Sequence, residues 1–348
     1  MATKLQNISE LARQTTERLT QSVDNWKRFL DSAAWLYKYP FHEQVLIHAQ
    51  RPDAKACAPI ELWNSRFRRW VNRGAKGIAL IDDSGHKPAL RYVFDVSDTN
   101  TRYNIPFRLW QTKPEYEAQI VEELQNHFGD IGVEDADFSS AVLGIAINAV
   151  SDNYDDYKNE LLKAAGNSAL ADMSDDEISS TFMVLLMTSV AHTVFVRLGI
   201  DAAAIFRADE YDSISLFNSP DTIAQLGAAT SDISEMVLRQ IERSVRSMER
   251  QERDTLAKSQ QVLQNEDRKN ERSVEHGTQL QAERGLPDSR YRDGHAADGG
   301  NRQIRDDEEG VSQSPSEWNL QRTLASEQAD RASAGDRQDG AGTGRTGD

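Results

Sequence analysis

A chain of 348 residues has room for roughly two domains. A hydrophobic fraction of 38 % is low for a wholly globular protein, so part of the chain is expected to stay unfolded, and the one cysteine, Cys57, excludes an internal disulfide. The net charge of −16 conceals a split: residues 1–110 carry 17 Lys and Arg against 11 Asp and Glu, residues 111–248 carry 8 against 24, and residues 249–348 carry 15 against 21.

Leu5, Ile8, Leu11 and Leu19 fall near helical spacing, which predicts a helix over residues 5–22. Trp26, Phe29, Leu30, Ala33, Ala34 and Tyr37 repeat at three and four, giving a second helix stopped near Pro40. Residues 41–49 form a third, ended before Pro52. Residues 54–60 read as a loop or short strand, and residues 61–70 as a short helix. The pattern then changes to a turn at 73–77, an apolar strand at 78–81 and a second turn at 82–85. Residues 90–96 alternate, with Leu90, Tyr92 and Phe94 on one face and Arg91, Val93 and Asp95 on the other, so the two strands read as a β-hairpin.

After Pro114 the pattern is helical. Ile120, Val121, Leu124 and Phe128 form one stripe, and residues 142–157 make another helix. Ser174 and Glu177 form a capping box that opens the most apolar helix, residues 178–198, with Gly199 suited to its C-cap. Residues 221 to about 250 give a last helix or helix pair, with Gly227 as the break. From residue 251 polar and charged residues dominate, and Tyr291 and Trp318 are the only aromatics. Such a segment buries too little apolar surface to offset its ordering entropy, so disorder or frayed helix is expected. The expected fold is α+β: N-terminal helices with a small antiparallel sheet, then a mainly α-helical domain and a disordered C-terminal tail. The expected boundaries are 1–110, 111–250 and 251–348.

The basic first segment points to a polyanion partner. Residues 63–77 hold five basic residues and no acidic one, with Trp63, Phe67 and Trp70 interleaved. Cations that track phosphates and aromatic faces that stack bases are what single-stranded nucleic acid requires. The candidate binding residues are Trp63, Arg66, Arg68, Arg69, Trp70, Arg73, Lys76 and Arg91. A second reading stays open, in which the aromatics are core and the arginines alone face the strand or the solvent. Gly74 and Gly77 flank Lys76 without the Gly-x-x-x-x-Gly-Lys-Ser/Thr spacing of a nucleotide loop.

His192 lies in the apolar helix and reads as a core histidine. A zinc-peptidase helix needs His-Glu-x-x-His, whereas here Thr193 stands at the base position and Val196 at the second ligand position. Cys57 between Ala56 and Ala58 reads as a small buried thiol. No catalytic residue, cofactor or metal is expected. The N-terminus MATKLQNISELARQ lacks the apolar run of a secretory signal. The longest apolar stretch, residues 182–196, is interrupted by Thr188, Ser189, His192 and Thr193 and is shorter than the roughly 20 residues of a span. A soluble, cytoplasmic protein with no membrane partner is expected.

The stretches at residues 26–30, 37–54, 63–64, 69–78 and 92–99 resemble the ArdC-type antirestriction N-terminal domain, in the version at the front of very large proteins of conjugative elements in Firmicutes. The resemblance covers about residues 20–110, and several spaced motifs occur in the family's order. It implies single-stranded-DNA binding, with the family's aromatic, Arg and Gly-x-Lys-Gly pattern on Trp63, Arg69, Gly74, Lys76 and Gly77. Residues 111–248 look similar to a degenerate zinc-peptidase-like domain that follows in that family, and residues 226–236 add to this likeness. Thr193 and Val196 depart from the peptidase pattern. The resemblance also implies relatives that continue into helicase or methyltransferase modules, where this chain has a polar tail. The expected function is that of a non-catalytic single-stranded-DNA-binding, antirestriction protein of a mobile element, whose further partners are other mobile-element or restriction proteins. The alternatives are an acidic interaction or DNA-mimic protein acting on a restriction enzyme, and a zinc metallopeptidase.

Overall fold

The structure, a computed structural model, describes residues 3–101, 106–133 and 136–282. The described residues divide into two units, the first ending at Val245 and the second beginning at Arg246. The first unit opens with three helices, α1 (Lys4–Leu19), α2 (Val23–Trp35) and α3 (Phe41–Gln50). Thr3 and Gln6 form a capping box at α1, and the Ser22 side chain caps α2, each satisfying amides that the first helical turn leaves unpaired. Pro40 then sets the extended backbone from which α3 starts.

Five short strands follow: β1 (Cys57–Ala58), β2 (Trp70–Val71), β3 (Ile78–Asp82), β4 (Ala89–Asp95) and β5 (Thr99–Asn100), with α4 (Ile60–Ser65) after β1. One antiparallel sheet has the order β1-β4-β3, and β2 pairs with β5 in a second, two-stranded ladder. The expected hairpin is β3 and β4, in a register that sets Ile78 opposite Val93 and Leu80 opposite Arg91. Its inner face is the one that carries Arg91, Val93 and Asp95. Val93 is fully buried with Ile78, Leu80, Leu46 and Ile47, and Arg91 reaches the buried Glu43 of α3 at 2.6 Å. Asp95 explains how the sheet is closed at one end. Its Oδ1 accepts from the amides of Lys55 (2.8 Å) and Ala56 (3.0 Å), and its Oδ2 from Ser97 N at 2.9 Å. The free edge of β3 is covered by a side chain: Gln50 accepts from Ala79 N and donates to Ala79 O, both at 2.9 Å.

Beyond the sheet come α5 (Glu117–Phe128), α6 (Phe138–Ala164), α7 (Asp175–Leu198), α8 (Ala202–Ile205) and α9 (Pro220–Ala282). Ile120, Leu124 and Phe128 are the buried stripe of α5, as their spacing predicts. Ser174 and Glu177 form the expected capping box of α7, and Gly199 ends that helix with the left-handed φ of 79°. By length and composition α7 is apolar enough to cross a membrane, and 67 % of that apolar window is buried inside the protein. The helix runs 24 residues, longer than the interrupted stretch seen in the sequence. Its polar residues are satisfied within the core: Ser189 Oγ accepts from Trp26 Nε1 at 3.0 Å, and Thr193 Oγ1 donates to Ser189 O at 2.9 Å.

Contacts run across residue 110 instead of stopping there. Trp26 of α2 bonds to α7, Tyr37 OH donates to Glu242 of α9 at 2.7 Å, and Ser231 Oγ donates to Tyr39 O at 3.1 Å. The N-terminal helices and the acidic helices thus share one core within the first unit. Nor does α9 break at Gly227. That glycine is where Phe41 of α3 meets the helix, since a Cβ there would lie 2.2 Å from Phe41 Cε2. In the second unit α9 runs on to Ala282, past the expected end near residue 250, so residues 251–282 are continuous helix where disorder or frayed helix is expected. Its Gln, Glu, Arg, Lys and Leu content favours helix, and Leu256, Val262 and Leu263 are exposed along it. Residues 283–348, on which the rest of the expected tail falls, lie outside the described residues.

Candidate nucleic-acid interface

The basic segment does not form the helix expected over residues 61–70. Pro59 starts α4, which closes after six residues at Ser65. Arg68 then takes φ 49°, the only positive φ outside glycine among the described residues. A left-handed residue turns the chain out of a helix, so Trp70 enters strand β2 opposite Asn100. Trp63, Phe67 and Trp70 therefore do not share a helical face.

Trp63 is fully buried, and its Nε1 donates to Phe94 O at 2.9 Å. Its ring packs on Phe67 at 5.1 Å and on Phe107 at 5.4 Å between centroids. This aromatic trio packs in one cluster with Ala56, Ala58 and Phe94. The expected stacking role of Trp63 is corrected accordingly: no face of a fully buried ring is open to a base. Trp70 is half-buried in its ladder.

The cations divide by environment. Arg69 donates through Nε to Thr99 Oγ1 at 2.8 Å and through Nη2 to Thr99 O at 3.0 Å, and its guanidinium lies over Phe107. Burial lowers its pKa from the ordinary value. It is a fastener between the basic segment and β5. Arg91 is likewise engaged, on the opposite face of the sheet, by Glu43. Both depart from the expected phosphate-facing set. Arg66 is half-buried. Arg68, Arg73 and Lys76 are exposed, and so is Arg108, which follows the packed Phe107 and which the sequence pattern did not single out. The only sequence signal for Arg108 is its place beside Phe107, outside the basic segment.

The backbone that carries these cations is well tied. Asn72 N donates to Asp98 O at 2.8 Å, Asn100 Nδ2 donates to Asn72 Oδ1 at 2.7 Å, and Ala75 N closes a turn on Asn72 O at 3.0 Å. Gly77 has the sheet against it, since a Cβ there would come within 3.1 Å of Phe94 Cζ. From residue 62 to residue 81 the sequence holds no carboxylate.

His192 is a core residue, 3 % exposed, with Nδ1 2.8 Å from Tyr211 OH and Nε2 2.9 Å from Asp31 Oδ1. Among the described residues no group of three His, Cys, Asp or Glu could hold a metal ion. Cys57 is buried, and burial pushes its thiol pKa well up, so the thiolate is disfavoured. Comparison with protein-family models, curated proteins and solved structures yields no match to this chain.

Proposed function

We propose that the chain is a non-catalytic single-stranded-DNA-binding protein of a mobile element, acting in the cytoplasm as an ArdC-type antirestriction factor. One observation carries this reading. Arg68, Arg73 and Lys76 stand exposed on a pinned backbone within a stretch free of carboxylates. Exposed cations on a fixed frame suit a phosphate backbone, because binding releases condensed counterions without ordering the protein side first. The left-handed Arg68 supports the same reading, since such strain outside glycine tends to persist where it serves a site.

The reading moves the contact from rings to charges. Trp63, Arg69 and Arg91 support the surface, and Arg68, Arg73 and Lys76 with Arg108 make it. The test is fluorescence anisotropy with a labelled single-stranded oligonucleotide at low salt. The wild-type chain binds, and the Arg68→Ala, Arg73→Ala, Lys76→Ala triple variant loses at least about tenfold in affinity. No binding by the wild-type chain at low salt overturns the proposal.

A second reading has its own support. Asp152, Asp155, Asp156 and Glu160 are exposed on α6, and Asp175, Asp176 and Glu177 on the first turn of α7. A surface of that sign suits an interaction partner that normally holds DNA, such as a restriction enzyme. Inhibition of such an enzyme by the DNA-binding-deficient triple variant favours this reading over the first.

A further inference from the structure

A cleft of about 620 Å³ lies between α1, α2 and the connection from α3 to β1. That volume lies within the range of small-ligand sites. Arg18, Arg28 and Lys55 are exposed along it, and none makes an ion pair with a described residue. Lys55 Nζ sits 4.3 Å from the centroid of Trp35, which lines the same cleft, so the ammonium is held in place by a ring and left without a counter-ion.

The cleft also presents acceptors. Asp31 lies on its wall, oriented through Oδ1 by the buried His192. Ser32 Oγ is 2.8 Å from Pro52 O, which can only accept, so the hydroxyl proton goes there. Ser32 Oγ must then accept from His48 Nδ1, also at 2.8 Å. This fixes the tautomer: His48 carries its proton on Nδ1 and keeps Nε2 as an acceptor. Burial holds the imidazole below its ordinary pKa, so it stays neutral. Nε2 makes no hydrogen bond to a described residue.

We propose that this cleft is a nucleoside-monophosphate site, in which Arg18, Arg28 and Lys55 take the phosphate while Asp31 and His48 Nε2 accept hydrogen bonds from base or sugar. Cations suit the phosphate alone. Trp35 carries Lys55 at 4.3 Å and Arg197 at 5.0 Å from its ring centroid, so it holds the cation and is not a stacking surface. The two acceptors need a ligand that brings hydrogen-bond donors as well as a phosphate, and a nucleoside monophosphate brings both. The same chemistry is offered by a free nucleotide and by the 5′-phosphorylated end of a strand. The site is separate from the exposed cations of residues 68–76 and does not depend on them.

Isothermal titration of the full chain tests it, with the four deoxynucleoside monophosphates, the unphosphorylated nucleosides and inorganic phosphate as probes. At least one nucleotide binds about tenfold more tightly than both its nucleoside and phosphate alone, and Arg28→Ala with Lys55→Ala removes that gain. Both replaced side chains are exposed, so the variant keeps its fold, which its thermal midpoint verifies. Equal binding of inorganic phosphate and nucleotide overturns the proposal, as does unchanged nucleotide binding by the double variant. Competition between the nucleotide and a 5′-phosphorylated trinucleotide, absent for the 5′-hydroxyl form, assigns the strand end as the source; no competition assigns the free nucleotide. Arg68→Glu with Arg73→Glu leaves nucleotide binding intact, which separates failure of this site from failure of the exposed basic loop.

Discussion

Trp63 Nε1 donates to Phe94 O at 2.9 Å, and this bond fixes the aromatic centre of the basic segment inside the fold. The indole is fully buried against Phe67 and Phe107. Trp63→Ala is expected to cost about 3–5 kcal/mol of stability, the range for removing a large aromatic from a packed core. Trp63→Phe keeps most of the ring and loses the hydrogen bond, so its cost is smaller. A base-stacking tryptophan would lose about 1–3 kcal/mol of binding on replacement by a non-aromatic residue. A Trp63→Leu variant, measured where it is folded, is expected to keep its oligonucleotide affinity. Urea unfolding and anisotropy on the same sample separate the two roles.

Arg68 sets stability against binding. Its φ of 49° costs a non-glycine residue about 1–2 kcal/mol, whereas glycine adopts it freely. Glycine loses about 0.5–1 kcal/mol more backbone entropy on folding, so the net gain of Arg68→Gly is expected near 0.5 kcal/mol. The same change removes an exposed cation and weakens oligonucleotide binding. A variant that is more stable in urea and binds less DNA supports the proposed role. Stability and affinity that fall together assign Arg68 a structural role instead.

Gly227 is a packing position on α9. Elsewhere on a helix, Gly→Ala gains about 1 kcal/mol from propensity. Here the new methyl would meet Phe41 at 2.2–2.4 Å from three ring atoms. The ring is buried, so it has little room to yield. Gly227→Ala is expected to destabilise by about 1–3 kcal/mol, the usual cost of overpacking a core. Adding Phe41→Leu should recover part of the loss, and a double-mutant cycle in urea measures the coupling.

The pH dependence has a definite sign at His48. Its pKa is lowered in the folded chain by burial, with Asp31 opposing that shift. A base with a depressed folded pKa is bound to fewer protons in the native state than in the unfolded state over that window. Its contribution is present above the unfolded value of about 6.5 and is lost as the pH falls through that value towards the folded one. His48→Gln should flatten the fall in thermal midpoint between about pH 7 and pH 5. A profile identical to that of the wild-type chain contradicts this assignment.

Periodicity made the helices and the hairpin legible. The apolar spacing in α2, α5 and α7, the capping box at Ser174 and the alternation in β4 are local signals of local structure. Three features were not legible, each for a tertiary reason. The path from α4 into β2 runs through the left-handed Arg68, which no side-chain pattern announces. The continuity of α9 through Gly227 depends on Phe41, 186 positions earlier in a chain whose contact is visible only in space. The split of the cations into fasteners and exposed groups depends on Thr99 and Glu43, partners distant in sequence. Composition marks the basic segment, and packing decides which of its residues face outward.

The most direct test of the central claim is the salt dependence of single-stranded-oligonucleotide binding. Three phosphate contacts, from Arg68, Arg73 and Lys76, predict a slope of log K against log salt near about −2. The triple alanine variant should lose most of that slope along with its affinity. Absence of binding at low salt, or a slope unchanged in the variant, would contradict the assignment of these residues as the phosphate-facing surface.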